Sequence, residues 1–380
     1  MTRLELAGLT ARPSQVWGGI RLVPLVRERP VEGLRLHREV YEGYGAGTVE
    51  VGPRTHYTSY IPHGFVADWD GEGTNSAAYG TQLAARGGSG PASAPPRTLA
   101  LPRHRHHRLA KRQAGNRLRF LPLHLAMEGY LALHFGGPST AWEEWSREAL
   151  RNGLSPREED TYLGWSVRGL GDALRAFEIH PGQCGVMVYT ADALAAAFVV
   201  PHPDDYRLLH PSLVQDLYGE LVHQYATYGA PVPDFGARIA DGPGMRTLAE
   251  LRAAALRQER EWSEAHDTLF AGELLTTSYG FERVYRMGSF TLSRFLPPFL
   301  RNGGGQHIGE TITDHKGRVA YLKTFRLSEA QIRRGHLLQR LADADWEVSR
   351  AAGALGTSQG ELLRRIRAAG FEFLLRVRGR

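Results

Sequence analysis

Cys184-Gly-Val-Met-Val-Tyr189 and Leu194-Ala-Ala-Ala-Phe-Val-Val200 are two unbroken apolar runs flanking Thr190-Ala-Asp-Ala193. Each has the length of a strand rather than a helix, and the residues between them suit a turn, so the pair reads as a β-hairpin. Upstream, Ile20-Arg-Leu-Val-Pro-Leu-Val26 is a similar apolar run. Leu34-Arg-Leu-His-Arg-Glu-Val-Tyr41 partly alternates, and Arg54-Thr-His-Tyr-Thr-Ser-Tyr-Ile61 is rich in β-formers. Downstream, Leu213, Leu217, Leu221 and Tyr225 recur every fourth residue, which predicts an amphipathic helix over about 211–228. Strands followed by helices predict the α+β class.

A chain of 380 residues is too long for one ordinary core. Ala230-Pro-Val-Pro-Asp-Phe-Gly236 and Gly242-Pro-Gly244 have linker composition. The expected division is an α+β sensor or adaptor domain over 1–229, a linker and charged helix over 230–275, and a C-terminal domain over 276–380. In the first part, Arg86-Gly-Gly-Ser-Gly-Pro-Ala-Ser-Ala-Pro-Pro96 predicts a mobile insert over about 86–100. Leu118 to Phe135 reads as buried strands, with a buried helix as the alternative. Helices are expected at 140–152, capped by Ser139 and stopped by Gly153, and at 158–177. The charged helix spans about 247–269. Beyond it, Asp314-His-Lys-Gly317 predicts a turn between strands 308–313 and 318–325.

Composition narrows the classes. Hydrophobic content of 42% and charged content of 23% are ordinary for a globular protein. No apolar run is long enough to span a bilayer, and the first residues lack the layout of a signal peptide, so a cytoplasmic protein without a membrane partner is expected. A single cysteine excludes an intramolecular disulfide. The net charge of +6 suggests a polyanionic partner, but all except three of the 46 basic residues are arginine. That bias fits a GC-rich genome, so the clustering of arginines carries more information than their number.

Three closing helices follow from their caps. Ser328 with Gln331 makes a capping box for the first, which runs to about residue 344 with Ile332, Leu337, Leu338 and Leu341 inward. The second covers about 347–355. The third opens near Ser358 and ends at Gly370, with Leu362, Leu363 and Ile366 inward, and Gly356 stands at the turn between them. Residues 348–370, Val-Ser-Arg-Ala-Ala-Gly-Ala-Leu-Gly-Thr-Ser-Gln-Gly-Glu-Leu-Leu-Arg-Arg-Ile-Arg-Ala-Ala-Gly, resemble the Fis-type helix-turn-helix that ends bacterial enhancer-binding regulators. The shared features are Ala351-Ala352, Leu355-Gly356, Leu362, the basic pair at 364 and 365, Ile366 and Gly370. The full expected architecture is therefore a strand-rich domain with packed helices, then a small β-hairpin plus a three-helix helix-turn-helix region. The resemblance implies nucleic-acid contacts at Ser358, Gln359, Arg364, Arg365 and Arg367. Thr357, Gln359, Gly360 and Glu361 depart from the pattern, which weakens base readout. Six arginines against Glu361 and Glu372 over 357–380 still leave a phosphate footprint.

Gly18-Gly-Ile-Arg-Leu-Val-Pro-Leu25, and the stretch from Phe198-Val-Val-Pro-His-Pro to Asp216-Leu-Tyr218, resemble the ARG-and-rhodanese-phosphatase-superfamily-associated protein domains over about 18–228. That resemblance implies association with ADP-ribose- and NAD-linked processes and carries over no catalytic residue.

Other segments hold candidate chemistry. His180 and Cys184, joined in sequence by His202, Asp204, Asp205 and His210, supply a thiol, imidazoles and carboxylates, the minimum for nucleophilic catalysis. The plainer alternative is a small buried thiol opening a strand, with Pro203-Asp204-Asp205 starting a helix. Asp68-Trp-Asp-Gly-Glu72 alternates carboxylates but is too short for a calcium loop, and reads best as a solvated turn. Arg103, Arg105, Arg108, Lys111 and Arg112, interleaved with His104, His106 and His107, form a basic patch that is hostile to a metal dication and reads either as a contact for a polyanion or as plain solvated surface. Gly303-Gly304-Gly305 lacks the lysine of a phosphate loop. No metal or cofactor is expected. Two readings follow. One is a non-enzymatic regulator or adaptor binding nucleic acid or a protein partner through its last helices. The other is an enzyme or ligand-binding protein of ADP-ribose or nucleotide metabolism whose tail mediates assembly.

Overall fold

The computed structural model describes residues 2–38, 173, 175–217, 222–234, 236, 245–301, 303–369 and 371, with strand segments between 46 and 120. The helices expected at 140–152 and over most of 158–177, the apolar run 121–135 and most of the insert expected at 86–100 lie outside these residues.

The hairpin read from 184–200 is present, as β13 (Gln183–Thr190) and β14 (Ala193–Val199). Its turn residues Ala191 and Asp192 both have positive φ, at 47° and 59°. The hairpin lies within a ten-stranded sheet that also holds β1 (Thr2–Arg3), β2 (Leu9–Ala11), β3 (Gln15–Trp17) and β4 (Ile20–Arg27). The remaining members are β15 (Ser278–Met287), β16 (Phe290–Leu296), β17 (His307–Thr313) and β18 (Val319–Arg326). The order is β1-β15-β16-β17-β18-β14-β13-β4-β2, with β3 also paired to β4, and every pairing is antiparallel.

Three small sets of strands lie outside this sheet: β5 (Leu34–Arg38), β8 (Phe65–Trp69) and β9 (Ser76–Ala78); β6 (Ala46–Gly52), β7 (Thr55–Tyr60) and β10 (Gln82–Gly87); and the pair β11 (Ala110–Arg112) with β12 (Leu118–Phe120).

Why β13 and β14 read as continuous apolar runs is now visible: both of their faces are covered. Val186, Val188, Ala196 and Phe198 point to one core, and Met187, Tyr189, Ala197 and Val199 to the other. The first core is closed by α1 (Pro203–Leu217), through Tyr206, Leu209, Leu213 and Val214, and by three helices at the C-terminus. The second is closed by the end of α3 (Leu248–Ala265), the π-helical turn His266–Phe270 and α4 (Gly272–Thr276), through Ala271 and Leu274 with Trp262 and Phe270 beside them. Each fully buried Leu, Val or Phe contributes about 1.5–3 kcal/mol, so the doubly covered strands dominate stability.

α1 starts eight residues before the expected position, because Pro203 fits a first helical position and Asp204 and Asp205 suit the first turn. Pro211 is tolerated inside it. The next described helix is α2 (His223–Tyr228). Thr247 caps α3 with a complete capping box to Glu250.

Val232 and Pro233, at the start of the segment expected to separate two domains, are tied to the sheet. Val232 N–H donates to the Gly18 carbonyl at 2.9 Å, and Arg21 Nη2 donates to the Pro233 carbonyl at 2.7 Å. Strands from both sides of 230–275 also share the sheet, since β14 pairs with β18 and β1 with β15. Proline richness reported a lack of donors, not a lack of contacts.

Candidate functional site

The C-terminal helices are α5 (Glu329–Asp343), α6 (Val348–Ala354) and α7 (Gln359–Ala368). Ser328 and Gln331 form both bonds of the capping box at the start of α5. α6 ends in a Schellman motif: Thr357 N–H donates to the Ala352 carbonyl at 3.0 Å and Gly356 N–H to the Gly353 carbonyl at 3.1 Å, with Gly356 at φ 59°. The chain then turns into α7, where Ser358 Oγ accepts from Glu361 N–H at 3.2 Å. Ala351 and Ala352 are buried and small, and Leu362 and Ile366 are buried against the same core. Arg334 closes the unit by donating from Nε to the Ala369 carbonyl at 3.1 Å and lying 5.8 Å over the Phe371 ring.

Burial of Leu362 and Ile366 turns the opposite side of α7 outward. Gln359, Gly360, Arg364, Arg365, Arg367 and Ala368 are exposed there, as is the capping Ser358. The Arg364 side chain is 75% exposed and that of Arg365 46%. Both bind one carboxylate: Arg364 Nη2 lies 2.6 Å from Glu361 Oε2, and Arg365 Nε 3.1 Å from Glu361 Oε1. These are exposed pairs at helical spacing, each contributing a few tenths of a kcal/mol. Elsewhere on the unit, Arg333 pairs with Glu329, Arg340 with Asp343 and Arg350 with Asp345.

The other candidates do not form one site. Cys184 is fully buried, and burial pushes its thiol up to about 11 against the opposing charge of Arg27, the reverse of an activated nucleophile. Among the described residues, no hydrogen bond joins it to His180 or His202. His180 Nδ1 meets its neighbour's carbonyl at Pro181, and His202 Nδ1 accepts from Asp204 N–H at the start of α1. Asp205 is a buried tie between α1 and β5: it binds Arg35 Nε and Nη2 at 2.9 and 2.7 Å and accepts from Leu36 N–H at 2.9 Å. His210 is buried beside Tyr206 and is lowered to about 4 by that burial. Arg103, Arg105 and Arg108 lie outside the described residues, and Lys111 and Arg112 belong to β11. Asp68 lies in β8, and 70–72 are outside. Among the described residues, no cluster of three or more His, Cys, Asp or Glu could hold a metal ion. No described helix is long and apolar enough to cross a membrane.

Two buried polar arrays escaped the sequence reading. Glu282, Arg294, Glu310 and Lys323 stand directly opposite one another across β15–β18, alternating in sign. Arg294, Glu310 and Lys323 are buried; Arg294 binds Glu282, and Tyr321 donates to Glu310 at 2.8 Å. Opposite charges across strands favour this register over a slipped one. The signal was a charge in the middle of each of the apolar strands β16, β17 and β18.

In the second array, His266 Nδ1 meets Asp267 at 2.9 Å and Nε2 meets the Tyr189 hydroxyl at 2.6 Å. The imidazole stacks between Trp262 and Phe270. Only Asp267 of the three reaches solvent, and burial raises the Tyr189 phenol, so this chain fastens α3 to β13.

Comparison with curated proteins and with solved structures finds no match. The ARPP-2 family model matches residues 4–288, from the first strands through β15 and about three-quarters of the length, and the chain belongs to that family.

Proposed function

We propose that α6, the turn at Gly356 and α7 act as a Fis-type helix-turn-helix, and that the protein is a regulator or adaptor that contacts nucleic acid through α7. The observation that carries this reading is the division of α7 into a buried side, Leu362 and Ile366, and an outward side bearing Arg364, Arg365 and Arg367. Phosphate oxygens are the natural partners of such a side, because guanidinium groups bind them with paired, charge-assisted hydrogen bonds. Of the exposed positions before them, Gln359 alone carries a side chain suited to a base edge and Gly360 carries none, so backbone contact outweighs sequence readout.

The test is binding of a short labelled duplex, followed by fluorescence anisotropy at low and physiological salt. Affinity is expected to fall with salt, and to fall further at fixed salt when Arg364→Ala and Arg365→Ala are combined. Unchanged affinity in that double variant would overturn the reading. Thermal stabilisation by ADP-ribose or NAD, without any binding to the duplex, would favour the nucleotide-metabolism alternative instead.

A further inference from the structure

Resting on the reading above, we infer that Glu361 is a built-in competitor for phosphate that holds Arg364 and Arg365 until a polyanion displaces it. Its two carboxylate oxygens are divided between the two arginines, Oε2 to Arg364 Nη2 at 2.6 Å and Oε1 to Arg365 Nε at 3.1 Å. One side chain thus occupies both guanidinium groups that would otherwise meet the nucleic-acid backbone. Glu361 is held there for reasons of its own. It lies in the first turn of α7, where a carboxylate is favoured by the helix dipole, and its N–H is fixed by Ser358 Oγ at 3.2 Å.

Three features make the contact displaceable rather than permanent. All three side chains reach solvent, with Glu361 at 32% exposure. Both pairs lie within one helix, so breaking them disturbs no tertiary contact. Exposed pairs of this kind are also weak enough for a phosphate diester to exchange with them. The competitor suppresses binding to isolated anions and leaves binding to a dense row of phosphates, which supplies enough local negative charge to win the exchange.

The experiment is the duplex titration repeated with Glu361→Gln, which keeps the shape of the side chain and the Ser358 cap while removing the charge. Affinity is expected to rise about fivefold, the equivalent of two weak exposed pairs. The salt dependence should steepen by about one released counterion. The same substitution is then made with Arg364→Ala and Arg365→Ala already present, where it should have no effect.

A gain that persists in that background would overturn the inference, because Glu361 would then act by net charge and not by holding the two arginines. An unchanged affinity for Glu361→Gln alone, with the arginine double variant still weakened, would also overturn it while leaving the nucleic-acid reading intact. If neither substitution changes binding, the reading itself fails and the inference falls with it.

Discussion

The phenyl ring of Phe299 packs so closely on Gly335 that a Cβ there would lie 2.9 Å from Cγ, with Cδ1 and Cε1 nearer still. This contact joins the helical unit to the sheet. Phe299 is buried and has a positive φ of 52°, and its loop is pinned on both sides of the next residue: Leu300 N–H donates to Gln306 Oε1, and Gln306 Nε2 donates to the Leu300 carbonyl. The ring therefore has little freedom to step aside. In an open helix, Gly335→Ala would stabilise by about 1 kcal/mol. Here overpacking costs about 1–3 kcal/mol, so a net loss is expected, read as a lower urea midpoint. Phe299→Leu should relieve it, giving a double variant less destabilised than the sum of the two single changes. A raised midpoint for Gly335→Ala would show that the contact is not tight.

Asp205 makes a second prediction. Its buried carboxylate serves three donors, two on Arg35 and the Leu36 N–H. Asp205→Ala strands a buried N–H and leaves Arg35 without its partner. Arg35 is 43% exposed and recovers part of the loss in water. The expected cost is about 2 kcal/mol, with Asp205→Asn milder because an amide oxygen can still accept from Leu36. If Asp205 were instead part of a catalytic group, the Ala variant would keep its stability in urea.

Local pattern and tertiary order separate cleanly in this chain. The doubly covered strands β13 and β14 were legible as apolar runs, and Asp314–Gly317 as a turn, where Gly317 takes φ 80°. The caps at Ser328 and Ser358 were legible for the same reason: each is a matter of a few neighbouring residues. Strand order was not. Pairing of Ala196–Val199 with Leu322–Phe325 joins segments more than a hundred residues apart, and no local pattern encodes that choice. The Glu282–Lys323 row illustrates the limit. Each charge was visible in its own strand, but its meaning appears only when the register sets the four side by side. At the candidate site, helical spacing placed the arginines of α7 outward. It also held the Glu361 contacts, at three and four residues, although which oxygen serves which arginine needs coordinates.

Acid sensitivity follows from two buried imidazoles. His307 is fully buried with neither ring nitrogen hydrogen-bonded among the described residues, and burial, helped by the charge of Arg326, lowers it to about 3. His210 is lowered to about 4, also by burial, with a backbone hydrogen bond at Phe177 opposing the shift. Burial lowers the more exposed His336 as well. The folded protein keeps these rings neutral, whereas the unfolded chain takes up their protons near pH 6.5. Stability is therefore fully present above pH 6.5 and is lost as pH falls towards the folded values. His210 and His307 should each remove about 2 kcal/mol between pH 7 and pH 5. Urea unfolding across that interval measures the loss. His307→Leu should flatten the curve and raise stability at pH 5, because an imidazole with no hydrogen bonds is costly to bury even when neutral. A urea midpoint that does not move between pH 7 and pH 5 would mean that neither ring is held neutral by the fold.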